Sequence, residues 1–288
     1  MRKFPFLLCF LTLPLMGCSS PVNEHPKSRS TPSSSEPEIV SSEEPILPMK
    51  VLFIGNSFTF YNDLDEVTEA LGKDLGLDIS CDRVAIGAHH LYEFATSGDD
   101  GYNQIQAKIE ANQYTHIIIQ EHSTYPVSNY SAFLRGATDL VANLRVHQPA
   151  ADIRLYETWG FENMVTNQYG STIQECEQRL FEAYRNAGKA LSLKVHYVGR
   201  AFSKYLTDNP SGTSLYYSVD NKHPSFLGTY LSGLIHLRSL ANVDLSKVAY
   251  QGEQGHMNSY GETYVSEGDK AKLISAATST FSQYGTSY

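Results

Sequence analysis

Basic residues are scarce in this 288-residue chain: 22 Lys and Arg stand against 31 Asp and Glu, a net charge of −9. A surface that follows nucleic-acid phosphates needs the opposite balance, so no nucleic-acid partner is expected. Cysteine is scarce too. Four cysteines make no disulfide framework: Cys9 and Cys18 fall in the N-terminal segment, and Cys81 and Cys176 are expected as two buried free thiols. No zinc spacing is present, and His89 and His90 form a pair without a third ligand, so no metal is expected. There is one tryptophan, Trp159, and no internal repeat. The apolar run at residues 4–16 is too short to cross a bilayer, which takes roughly 20 residues.

That run follows Arg2 and Lys3 and ends in a small residue and a cysteine, the pattern of a targeting segment. "LMGC" at residues 15–18 resembles the lipobox of bacterial lipoproteins. The resemblance implies a signal peptide at 1–17 and lipidation of Cys18. An ordinary secretory signal would likewise take the mature protein out of the cytoplasm. The expected location is extracytoplasmic, with the membrane touched only through the lipid anchor. Residues 18–48 are rich in Ser, Pro and Glu with almost nothing to bury, and read as a disordered tether.

From 49 to 288 the pattern alternates. "KVLFIGNS", "ISCDRVAIG", "THIIIQEHS", "DIRLYETWG" and "KVHYVGRAF" have the length and β-branched content of strands. Helical spacing occupies 63–75, 102–112, 130–147 and 172–191, between them. Strict alternation implies βαβ units and a parallel sheet covered on both faces. After the fifth strand come a polar loop, a helix over 224–240, an irregular Gly- and Tyr-rich stretch over 248–265 and a last helix over 269–284.

Strands of a parallel sheet all end at one edge, so residues just past those ends meet in space. Ser57 follows the first strand. Asp220 and His223, three apart in "SVDNKHPS", precede a proline able to open a helix. A serine hydroxyl needs a base within hydrogen-bond reach, usually an imidazole held in one tautomer by an acceptor, and these three residues supply all the parts. A plain N-cap at Ser57 is the alternative on these residues alone.

"IGNSFT" followed far downstream by "DNKHP" resembles the SGNH, or GDSL-like, hydrolase superfamily over residues 49–241. The resemblance implies a flavodoxin-like three-layer α/β/α sandwich whose five-stranded parallel sheet runs in the order 2-1-3-4-5. It makes Ser57 the nucleophile, Asp220 the orienting acid and His223 the base. Gly87, closing "VAIG", matches the glycine whose N–H stabilises the oxyanion alongside that of Ser57. The family's G-x-N-D block is missing; "IIIQEHS" stands there instead, resembling a branch with glutamine in place of the asparagine, which would make Gln120 the third oxyanion donor. His122, Tyr125 and Trp159 are candidate substrate contacts, and Glu121 reads as structural. The activity implied is serine-ester hydrolysis without a cofactor, with an O-acetylated carbohydrate as the first choice of substrate. Transfer of the acyl group to a sugar hydroxyl, lipid or aryl esters, and a glycan-binding lipoprotein without turnover are the alternatives.

Overall fold

Four consecutive apolar residues, Val51, Leu52, Phe53 and Ile54, leave no face for water, and a strand built from them must be covered on both sides. In the computed structural model they are fully buried within strand β1, Met49–Gly55. The structure describes residues 48–212 and 214–287; the targeting segment, Cys18 and nearly all of the 18–48 tether lie outside the described residues. Four more parallel strands follow: β2 (Ile79–Ala85), β3 (His116–Ile119), β4 (Asp152–Tyr156) and β5 (Lys194–His196).

The sheet order is β2-β1-β3-β4-β5, the order expected. Ile117, Ile118 and Ile119 of β3 are as fully buried as their β1 neighbours, whereas β2, at an edge, alternates Ile79 inward with exposed Ser80. Helices Leu64–Asp74, Val198–Asp208, Phe226–Ala241 and Glu267–Tyr284 pack with one another, and Asp100–Ala111, Tyr130–His147 and Ile173–Leu191 form a second group. This is the three-layer α/β/α arrangement. Registers Ile54↔Val84, Ile54↔Ile119, Ile119↔Leu155 and Tyr156↔His196 bring the strand ends to a common rim. Because β2 lies on one side of β1 and β3 on the other, the crevice above these ends is the topological switch point, where open α/β sheets bind ligands.

Two segments differ from the sequence expectation. The fifth strand stops at His196, and Val198–Asp208 is a helix: Val198, Ala201, Phe202 and Tyr205 are buried at helical spacing. The stretch read as irregular is an antiparallel hairpin, β6 (Gly252–Asn258) and β7 (Gly261–Tyr264). Gly252 is obligatory there, since it has φ +78° and a Cβ would fall 2.1 Å from the Thr263 carbonyl oxygen. Between the hairpin and helix Leu64–Asp74 lies a cavity of about 280 Å³, bordered by Asn62, Glu66, Phe226 and His256 and holding none of Ser57, Asp220 or His223. Cys81 and Cys176 are both free; Cys176 is buried, but Cys81 is only partly so, because β2 is an edge strand.

Candidate active site

Strand β1 ends at Gly55, and Ser57 opens a single helical turn, Ser57–Phe60. The turn is pinned by Asn56, whose Oδ1 accepts the Phe58 N–H at 3.3 Å and whose Nδ2 donates to the His89 carbonyl at 3.1 Å. Among the described residues, no acceptor takes the N–H of Ser57 or of Gly87. Gly87 follows β2 beside Phe60, and the Asn56–His89 bond draws its loop to the nucleophile turn.

The partners of Ser57 come from a tight turn before helix Phe226–Ala241. Tyr217 donates its N–H to the His223 carbonyl at 2.7 Å, and Asn221 sits at φ +51°, a left-handed position that asparagine tolerates. Asp220 Oδ1 accepts the N–H groups of Lys222 (2.9 Å) and His223 (3.0 Å). Its other oxygen, Oδ2, lies 2.6 Å from His223 Nδ1, and His223 Nε2 lies 2.8 Å from Ser57 Oγ. The structure thus brings all three residues into one hydrogen-bonded chain. Burial raises the Asp220 carboxyl, but the bonds from the His223 ring and from two backbone N–H groups outweigh it and hold the acid below its ordinary range. An ionised Asp220 keeps the proton of His223 on Nδ1 and leaves Nε2 free to accept from the serine.

The base is also framed by rings. Tyr61 lies parallel to His223, centroids 4.1 Å apart at 7°, and Phe58 meets it edge-on at 5.6 Å. Tyr260, at the hairpin tip, covers the other face of Tyr61 at 3.9 Å. Sequence reading missed Tyr61, Tyr217, Tyr260 and Lys222; one signal was available, the place of Lys222 inside "DNKHP".

Two expected roles are corrected. Gln120 is not an oxyanion donor. It is fully buried, its Oε1 accepts from the Asn56 N–H (3.0 Å) and the Thr59 hydroxyl (2.9 Å), and its Nε2 donates to Asn56 Oδ1 (3.0 Å) and to the Glu121 carbonyl, so no proton is left for substrate. Gln120 instead locks the nucleophile turn to β3. Gly55 makes this possible, since a Cβ there would fall 2.5 Å from Gln120 Oε1. Trp159 does not face substrate either. Its ring is buried between Phe58 (4.3 Å) and Phe202 (4.2 Å), and its Nε1 donates to the Lys222 carbonyl at 3.0 Å. It buttresses the turn that carries the base.

The remaining candidates cluster beyond β3. Glu121, fully buried, accepts the His122 N–H at 2.6 Å and the Leu91 N–H at 3.3 Å, and lies 3.1 Å from His90 Nδ1. His89 is taken by Asp99 at 3.0 Å, so the two adjacent histidines go to separate carboxylates. Tyr125 packs on His90 at 4.1 Å. The half-buried His122 ring is pushed down to about 4 by burial and by the neighbouring His90 and Lys222, and is neutral at neutral pH.

No protein-family model and no curated protein matches this chain by sequence. Solved structures do match by shape. A DUF4886 family protein from Bacteroides uniformis superposes with a TM-score of 0.69 at 15% identity, covering 84% of this chain and 97% of its own. A protein from Slackia heliotrinireducens assigned to the SGNH hydrolases superposes with a TM-score of 0.51 at 21% identity, over 66% of this chain and 97% of its own. The fold is that of the SGNH hydrolases. An acetyl xylan esterase superposes with a TM-score of 0.50 at 11% identity, over 67% of this chain and all of its own.

Proposed function

We propose that the chain is a serine esterase that works through an acyl-enzyme. The observation that carries this is the unbroken chain from Asp220 Oδ2 through His223 to Ser57 Oγ, at 2.6 Å and 2.8 Å. In the reaction, Ser57 Oγ attacks an ester carbonyl as its proton passes to His223 Nε2. The N–H groups of Ser57 and Gly87 stabilise the tetrahedral oxyanion. His223 then protonates the leaving alcohol, and a water repeats the cycle on the acyl-serine. Every proton is handled by side chains of this chain, so no cofactor step enters.

For substrate, we propose an O-acetyl group on carbohydrate. The open aromatic rim of Tyr61, Tyr217 and Tyr260 beside the base supports a sugar-facing surface, and the acetyl xylan esterase of the same fold supports it by analogy. Lipid anchoring at Cys18 outside the cytoplasm belongs to this reading and rests on the "LMGC" sequence alone.

The test is turnover of 4-nitrophenyl acetate and acetylated glycans, with fluorophosphonate labelling of the wild type. Ser57→Ala and His223→Ala are each expected to lower kcat by about 10⁴ to 10⁶, Asp220→Ala less, because the three act as a unit. Near-wild-type turnover in either of the first two variants overturns the assignment. Acetyl release without any acceptor separates hydrolysis from transfer.

A further inference from the structure

Lys222 precedes the base in the chain, yet no anion among the described residues pairs with its ammonium. Among those residues it makes no ion pair and no side-chain hydrogen bond, and the charge that acts on it is Asp220. Both oxygens of Asp220 are already taken, one by the His223 ring and one by two backbone N–H groups. The Lys222 Nζ stands over two rings instead, 5.9 Å from the centre of Phe58 and 5.5 Å from that of Phe161. Phe58 follows the nucleophile in sequence and touches His223 edge-on, so the ammonium occupies the wall beside Ser57. It is not a freely waving surface lysine: it is half-buried, and Trp159 holds its backbone carbonyl.

His122, just past the end of β3, has its ring 4.8 Å from that of His90 and feels the Lys222 charge. Neither ring nitrogen of His122 has a hydrogen-bond partner among the described residues, although its backbone N–H is held by Glu121. A neutral imidazole offers one N–H donor and one acceptor. A half-buried ammonium without a partner among the described residues is costly unless a ligand answers it. One ammonium matches one negative charge, and the protein's net charge of −9 disfavours a ligand with more.

We propose that Lys222 and His122 form a subsite for a carboxylate carried by the substrate close to the scissile ester, so that the enzyme prefers acidic esters to neutral esters of the same shape. This rests on the esterase reading above and adds the substrate's charge to it. The Lys222 ammonium makes a charge-assisted contact with the carboxylate, and His122 donates its ring N–H.

The experiment measures kcat/KM of the full chain on two matched pairs. In 4-acetoxybenzoate against methyl 4-acetoxybenzoate the carboxylate lies on the alcohol side. In 4-nitrophenyl hydrogen succinate against methyl 4-nitrophenyl succinate it lies on the acyl side. The wild type is expected to favour the acid about tenfold in one pair. That ratio falls to near one in Lys222→Met and is retained in Lys222→Arg. An unchanged ratio in Lys222→Met, or no preference in either pair, overturns the proposal.

Inhibition of the wild type by benzoate but not by benzamide reads the same subsite without any substitution, and equal inhibition by the two counts against it. Should no ester be hydrolysed at all, the esterase reading fails on its own. The subsite is then decided by calorimetric binding of benzoate: lost in Lys222→Met, it stands; absent or unaltered, it falls.

Discussion

A single amide, Gln120, shows how a residue can matter to a reaction it never touches. Three of its four hydrogen bonds connect the end of β3 to Asn56 and Thr59, on either side of the nucleophile, and the fourth goes to the Glu121 carbonyl. Gln120→Ala leaves the buried Asn56 amide without its partner, at about 1–3 kcal/mol for each unsatisfied group. The expected outcome is a lower unfolding midpoint together with a lower kcat. A lost oxyanion donor would instead lower kcat by about 10² to 10³ with the fold intact. Denaturation and turnover measured on the same sample separate the two, and an unchanged midpoint would restore Gln120 to the oxyanion.

At the scale of elements, the hairpin is coupled to the catalytic base. Tyr260 on the turn between β6 and β7 stacks on Tyr61, and Tyr61 stacks on His223. A second tie runs from Asn258 Nδ2 to Asn62 Oδ1 at 3.1 Å. The face of Tyr61 carries partial negative charge, so it favours the imidazolium that forms as Ser57 loses its proton, by about 0.5–2 kcal/mol. Tyr61→Leu should therefore lower kcat/KM roughly three- to thirtyfold, while Tyr61→Phe keeps it. Tyr260→Ala, which uncovers Tyr61 without touching the base, is expected to give a smaller loss in the same direction. A kcat/KM that Tyr61→Leu leaves unchanged would reduce Tyr61 to a packing residue.

For the whole molecule, acid is the expected weakness. His196 and His236 are fully buried, 2.7 Å apart between their Nδ1 atoms, and burial holds both rings below the ordinary histidine value, His236 at about 3. Each is neutral in the fold but protonates near pH 6.5 when unfolded. Their contribution is complete above about pH 6.5 and is lost as the pH falls toward the folded value, at up to about 1.4 kcal/mol per pH unit for each ring. Burial of Glu157, raised to about 7, acts the other way, its contribution fading as the pH rises from about 4.5 to about 7. Urea unfolding of wild type and His236→Gln at pH 7 and pH 5 isolates the histidine: the variant should lose less stability between the two, and an equal loss would show that His236 does not titrate on unfolding.

The same scale shows what was legible beforehand. The parallel sheet followed from βαβ alternation and its strand order from the family resemblance, and the rim that gathers Ser57, Asp220 and His223 followed from parallel strands ending together. Helix Val198–Asp208 was hidden because "VHYV" is apolar enough to read as more strand. The hairpin was hidden because β6 is mostly exposed, so hydrophobic periodicity had nothing to mark. Trp159 was assigned to substrate because sequence places a residue past a strand end without saying which way its side chain turns, and the resemblance that assigned Gln120 to the oxyanion carries no side-chain direction either.

The ring stack on His223 also sets a timetable. Translation runs from the N-terminus, and domains begin to assemble as they emerge. The last strand of the large sheet closes at His196, the base arrives at His223, and Tyr260 comes only with the hairpin. Tyr61 and His223 can therefore meet before Tyr260 exists to cover them. Full competence waits until the hairpin has been made.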